Sequence, residues 1–298
     1  MAKVFLDDTI LSDIADAIRE KTGTTDKIVV SDMSNKLSNM SGSIDSGLLD
    51  IISGTATTID NKYLNGITKI GAHAFRNTGL TSIVIPDSVT SIGEYAFQNC
   101  TKLTSIEIPI NVTSIGTYAF SGCTELAYVI IPDGIISLEQ ATFYNCTKLS
   151  SIELPDSISI IKNSAFGGCS GLTSIEIPSN VTSIGSSAFG NCTGLVSIII
   201  SNGVTSIESS AFYTCTGVAS IEIPNSVINI GSSAFSGCTG LKTITFKGKP
   251  TTIGKNAFYN CTQSDLVINV PWAQGEVANA PWGATNATIN YNYTETTE

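Results

Sequence analysis

The chain has 298 residues, with 15 Lys and Arg against 25 Asp and Glu and a formal net charge of −10. At 42% hydrophobic and 13% charged it is too apolar for a disordered chain, and its negative balance argues against a cationic patch large enough to grip a phosphate backbone, so no nucleic-acid partner is expected. One His rules out most zinc sites and leaves a triad only through His73, and no run approaches about 18 apolar residues, so no membrane insertion is expected.

In chain order, residues 1–40 come first. Ile10, Ile14, Ala17 and Ile18 fall at helical spacing, with Asp7 or Asp8 as N-caps and Gly23 past the end. A second short helix is predicted from Ser31 or Asp32 through Met33, Leu37 and Met40. The opening residues turn acidic at Asp7 and Asp8 before an apolar stretch forms, which is not a secretory signal. Synthesis in the cytoplasm without a signal peptide is therefore expected. Residues 41–58, rich in Ser, Gly and Thr, read as a linker.

From residue 59 to 271 the chain repeats. Phe stands at 75, 97, 120, 143, 166, 189, 212, 235 and 258, with a first step of 22 residues and later steps of 23. Ala precedes each Phe except Phe143, which follows Thr142, and Cys follows three residues after each Phe except Phe75. Within one coil, Ile106 and Ile108 alternate with Ser105 and Glu107, the period of a half-buried strand. Pro109 ends that strand because it has no N–H for a ladder. Val112 and Ile115 turn a second apolar edge inward, Gly116 is expected to allow a turn, and Ala119 and Phe120 plug the interior before Cys123 closes the coil, which is thus expected to hold about two short β segments and a tight corner or helical turn. A single coil leaves apolar faces open above and below, so coils must stack. At a strand spacing of ~4.8 Å, nine coils make a rod or arc roughly 45 Å long. Residues 272–298 hold Trp272 and Trp282, two large rings suited to lie over an exposed last coil, and Ala287–Tyr293 could add a final strand.

The run Leu103-x-x-Ile106-x-Ile108-Pro109, followed by Val112, Ile115, Gly116, Ala119, Phe120 and Cys123, resembles the BspA-like, Treponema-type class of leucine-rich repeats. The resemblance implies a leucine-rich repeat solenoid, β-rich and of the α/β-type superclass. It would hold about nine 23-residue coils with one parallel sheet on a concave face, a helical N-terminal module and a Trp-containing C-terminal cap. The ends resemble something else. Residues 14–28 are similar to an N-terminal segment of prophage and tail-associated proteins of gut Firmicutes, and residues 270–293 to C-terminal segments of the same kind of protein. That implies a place on a virion, with residues 1–40 as the attachment to a tail; the alternative is that residues 1–40 cap the first open coil of the solenoid.

Candidate sites are few. The eight Cys occupy one place in each coil, so neighbours point the same way and neither a disulfide nor a tetrahedral metal site closes easily. They are expected to be buried free thiols. His73 shares its place with Tyr95, Tyr118, Ala141, Ser164, Ser187, Ser210, Ser233 and Asn256, the mark of a variable surface position. The Asn-x-Thr triplets at Asn99, Asn111, Asn145 and Asn191 arise from the repeat. The outward row of the strand is the best ligand candidate. It runs Val84, Glu107, Ile130, Glu153, Glu176, Ile199, Glu222 and Thr245, beside a Ser or Thr row broken by Tyr128. Glu153 and Glu176 would repel at ~4.8 Å, which a cation or basic ligand would relieve. The Tyr set at the corners, Tyr95, Tyr118, Tyr144, Tyr213 and Tyr259, is a second candidate.

No nucleophile elbow, Walker A or dinucleotide motif occurs, and no cofactor is expected. The reading is a non-enzymatic binding protein associated with a phage or prophage tail, presenting Glu107, Tyr128, Ile130, Glu153, Glu176, Ile199 and Glu222 to a protein or a cell-surface glycan. The alternative is a surface or secreted BspA-like adhesin, which needs an export route. A glycosidase using Glu153 and Glu176 would lack the cleft and the split acidities that chemistry requires.

Overall fold

Both apolar edges of the repeat become parallel ladders in the computed structural model, which describes residues 57–59, 64, 66–261 and 265–294. The long ladder stacks strands such as Ser105–Glu107, Tyr128–Ile130, Ser174–Ile177, Ser197–Ile200, Ser220–Ile223 and Thr243–Phe246. Coils are in step: Ile198 pairs with Ile175 and Ile200 with Ile177, so each inward side chain lies on its counterpart. The short ladder stacks two-residue strands, Ser183–Ile184 on Ser206–Ile207 on Asn229–Ile230. The expected single sheet is therefore corrected to two ladders. Two residues suffice for a strand here because the coils before and after both hold it. Neither ladder is continuous. The long one falls into three hydrogen-bonded groups and the short one into two.

Proline sets the strand ends. Ser174–Ile177 and Ser220–Ile223 stop directly before Pro178 and Pro224, which have no donor for the neighbouring coil. Where the repeat drops the proline the bond returns: Ser201 N–H donates to Ile177 O at 3.3 Å and Lys247 N–H to Ile223 O at 2.9 Å. The prolyl carbonyl then starts the turn into the short strand, accepting from Val181 N–H at 3.1 Å in the coil of Pro178.

The corner around each Phe is a chain of turns, and no helix occurs among the described residues. The α/β-type class is corrected accordingly to an all-β coil. The residues two before and two after each Phe are left-handed: Tyr118 and Gly122 have φ of 57° and 75°, Ser187 and Asn191 of 54° and 60°. Corner N–H groups point at the next coil. Tyr95 donates to Thr117 O at 3.0 Å, Phe97 to Ala119 O at 2.7 Å and Asn99 to Ser121 O at 2.7 Å. A helix could not make these bonds, because its donors are committed to carbonyls four residues back. This third line of inter-coil bonds offsets the roughly 1–2 kcal/mol that a left-handed L-residue costs. Gly116 is not left-handed, which corrects its expected role. A Cβ there would lie 2.5 Å from the Glu94 nitrogen, so it is small because the preceding coil passes close.

Inside, the nine repeat Phe rings form one buried column, with neighbouring centroids 5.1–5.5 Å apart. The eight Cys are free and buried beside it. Each thiol donates to the carbonyl of the previous coil's Phe: Cys123 to Phe97 O and Cys192 to Phe166 O, both at 3.1 Å. Burial pushes the Cys146 and Cys192 thiols up to about 12. At the C-terminal end the column meets Phe246, Trp272 and Trp282, all buried. Trp272 lies edge-on to Phe246 at 5.2 Å, and Trp282 to Phe258 at 6.3 Å. Strand Thr288–Asn290 then pairs in parallel with Val267–Asn269. The helical reading of residues 1–40 lies outside the described residues, as does nearly all of the 41–58 stretch.

Candidate functional site

The alternation of the long strand decides which side chains are free. Ser174–Ile177 reads exposed, buried, exposed, buried, so Ile175 and Ile177 join the core while Ser174 and Glu176 face out. Register then lines the outward residues up across coils. Val84 bridges to Glu107, Glu107 pairs with Ile130, Glu176 with Ile199 and Glu222 with Thr245. Tyr128 pairs with Ser105 in the adjoining row. Glu107, Tyr128, Ile130, Glu153, Glu176, Ile199 and Glu222 all face solvent. Glu153 lies in the coil where the long ladder has no regular strand, so it is not paired with Glu176.

The row is chemically mixed. Val84, Ile130 and Ile199 in one row are 64%, 49% and 52% exposed, and Tyr128 in the adjoining row is 52% exposed, which is unusual for apolar side chains set so close together. Val196, one residue before the Ser197 strand, adds a fifth at the flank. Carboxylates separate them. Glu222 reaches Lys247 at 3.2 Å, an exposed pair worth little in stability. Apolar anchors set among carboxylates suit a partner face with apolar and basic groups.

The corner tyrosines do not form one set. Tyr95 and Tyr118 sit two residues before Phe, where they stack at 5.1 Å with 4° between their planes. Tyr144, Tyr213 and Tyr259 follow Phe directly and are exposed singly. His73 is exposed and lies flat on Tyr95 at 4.9 Å, with the Arg76 guanidinium 5.6 Å from the Tyr95 ring. Its ring contact is thus aromatic stacking. No group of three His, Cys, Asp or Glu side chains able to hold a metal occurs among the described residues, and no helix there is long and apolar enough to cross a membrane.

The second ladder also bears exposed apolar residues that the strand pattern alone did not single out. Ile136 and Ile228 stand where Thr113, Thr182 and Thr205 stand elsewhere, and Ile160 where Ser137 and Ser183 stand. Comparison of each position across coils, applied to this segment as well, is the signal that finds them.

The sequence model of the BspA type leucine rich repeat region matches residues 68–193 and 159–271, in six copies. The chain belongs to this family. Among solved structures, this BspA-type repeat protein is similar to a leucine rich cell surface protein from Faecalibacterium prausnitzii, 36% identical over 62% of this chain and 45% of that one, with a TM-score of 0.44. It is also similar to the leucine rich repeat protein of T. pallidum, 28% identical over 54% of this chain and 78% of that one, at a TM-score of 0.48. A leucine-rich repeat protein from Bacteroides ovatus is 23% identical over 76% of this chain and 87% of its own, at 0.40. The BspA-type chain thus matches less than half of the F. prausnitzii protein. No curated protein matches it.

Proposed function

We propose that this protein is a non-enzymatic recognition protein whose long-ladder face docks a protein partner carrying apolar and basic side chains. One observation carries this reading. Inward positions are nearly constant from coil to coil, whereas the outward row changes from Val84 to Glu107 to Ile130 and places half-exposed apolar side chains among carboxylates. Stacking requires the first pattern, and nothing in the packing requires the second. A surface whose coils differ distinguishes partners, which a uniform one cannot do.

The setting we propose is a phage or prophage tail, with residues 1–40 as the attachment and the coils as the part that meets the target. The support is the resemblance of residues 14–28 and 270–293 to segments of tail-associated proteins. Purified tail particles provide the test. The full chain is expected to co-sediment with them, and a chain that begins at Ile44 is expected to fold and stay in the supernatant. A full chain absent from the particles and present on the bacterial surface would refute the tail setting and favour an adhesin. Truncation without effect on co-sedimentation would remove residues 1–40 as the attachment.

A further inference from the structure

The repeat supplies its own control for what the fold requires. After the inward residue of the short strand the chain carries Gly71, Gly93, Gly116, Gly185, Gly231 and Gly254, but Glu139, Lys162 and Glu208 in the other three coils. At the outward position of the same strand stand Ser91, Ser114, Ser137, Ser183 and Ser206, with Lys69, Asn229 and Thr252 in three further coils, and Ile160 is the one apolar residue. One residue past the glycine, Gln140 and Asn163 stand where Ser186, Ser209 and Ser232 stand later. Most of these departures meet in space. They line an open cavity of about 310 Å³ over Gly185, with Ile160, Lys162 and Asn163 on one side and Glu208 on the other.

Gly185 lies in the lining where the preceding coil passes close, a Cβ there falling 2.6 Å from the Lys162 carbonyl carbon and 2.7 Å from the Asn163 nitrogen, and the polar groups around it are positioned. Glu139 holds the Lys162 ammonium at 2.6 Å. Ser186 N–H donates to Asn163 Oδ1 at 2.9 Å, which turns the amide NH2 of Asn163 outward as a donor. Gln140 Nε2 donates to the Tyr118 hydroxyl at 3.3 Å, leaving its carbonyl as an acceptor. Ser206 donates to Glu208 Oε1 at 2.6 Å, and Glu208 forms no ion pair among the described residues. Ile160, 42% exposed, supplies an apolar patch beside them.

Donors thus stand on one side and a carboxylate on the other. Lys162 and Glu208 are two strand spacings apart, about 10 Å, with an apolar contact near them. That arrangement matches a ring with hydroxyls around its rim and C–H groups on its face. Glu139 and Glu208 oppose an anion, and no aromatic side chain lines the notch to stack a flat base. The volume falls at the small end of ligand sites. We infer that the notch over Gly185 binds one pyranose residue of a glycan, its hydroxyls shared between Lys162, Asn163 and Glu208 and its C–H face against Ile160. This site is separate from the long-ladder row and does not depend on it.

Saturation-transfer NMR on the full chain tests the assignment, with the methyl glycosides of glucose, galactose, mannose and N-acetylglucosamine as probes. Ile160→Ser combined with Glu208→Gly restores residues the repeat uses elsewhere, so the coil should keep its fold. The expected result is transfer to at least one glycoside, weakened at least tenfold in that double variant and unchanged when Tyr128→Ser and Ile130→Glu alter the long-ladder face. Should the double variant melt early, Asn163→Ser is the second variant, also with weaker transfer expected. Absence of transfer to all four glycosides, or undiminished transfer from a folded notch variant, overturns the proposal. Loss of transfer on altering the long-ladder face would also overturn it, by placing the sugar on the other surface.

Discussion

Truncating Phe166 to Ala should weaken the array more than almost any other single change. The ring is fully buried, with the Phe143 centroid at 5.5 Å and the Phe189 centroid at 5.1 Å. Burial of a Phe that is then cut to Ala costs about 3–5 kcal/mol, depending on how far the site can collapse. Collapse is limited here, because Phe166 N–H is held to Ala188 O at 2.8 Å and Phe143 N–H to Ala165 O at 2.8 Å. Two stacked partners also lose their contact, each worth about 0.5–1.5 kcal/mol beyond burial. The expected loss is therefore at the top of the range, about 5 kcal/mol. Phe75 stacks on Phe97 alone among the repeat rings, at 5.1 Å and 27°, and Phe75→Ala should cost about 3 kcal/mol. Because each coil touches only its neighbours, the damage at Phe166 should also split unfolding. Trp272 and Trp282 report the C-terminal end by fluorescence, and far-UV circular dichroism reports the whole. In urea the dichroism of Phe166→Ala should fall before the tryptophan signal. A loss below about 1 kcal/mol, or equal losses at Phe75 and Phe166, would refute the stacked column as the main source of cohesion.

The thiols should react slowly in the native protein, and all eight should titrate in denaturant without reductant; finding four or fewer would show bridges. Burial raises Cys146, Cys192 and Cys261 from 9.0 to about 12, so the folded chain holds these protons more tightly than the unfolded one. Stability is then complete below pH 9, and the melting temperature should fall as pH rises from there toward about 12; a flat profile would contradict buried protonated thiols. Ser187 has φ of 54°, so Ser187→Val should cost about 1–2 kcal/mol in urea unfolding whereas Ser187→Gly should not. Equal losses for the two would mean the corner is not left-handed.

The sequence made the repeat visible because packing demands sameness. Phe at a 23-residue step and Ile106 beside Ile108 led directly to stacked coils with a half-buried strand. The outward row was equally legible, since alternation at Ser174–Ile177 assigns faces without further information. The second β segment of each coil was expected, but not its pairing into a ladder of its own, because strands of two residues such as Ser183–Ile184 carry no period and exist only through the coils on either side. The left-handed corners were half hidden. Tyr118, Ala141 and Ser187 give no hint of positive φ, and inter-coil hydrogen bonds hold them there. Two residues after Phe the signal was present and missed: Asn77, Asn99, Gly122, Asn145, Gly168 and Asn191 are types that tolerate this conformation. The notch over Gly185 escaped the strand-by-strand reading because its residues come from coils 23 residues apart in sequence and meet only through register.

The division between packing residues and recognition residues is tested most directly by two variants that remove similar exposed apolar surface from different faces. One carries Tyr128→Ser and Ile130→Glu on the long ladder; the other carries Ile136→Thr and Ile228→Thr on the short ladder, where those side chains are 62% and 48% exposed. Each change restores a residue found elsewhere in the repeat, so both proteins should melt with the parent. The measurement is retention of fluorescently labelled protein on cells of the bacterium that carries the gene, read by flow cytometry against concentration. The account predicts that the long-ladder variant loses at least tenfold in apparent affinity while the short-ladder variant matches the parent. Equal retention of both variants, or loss confined to the short-ladder variant, would contradict it.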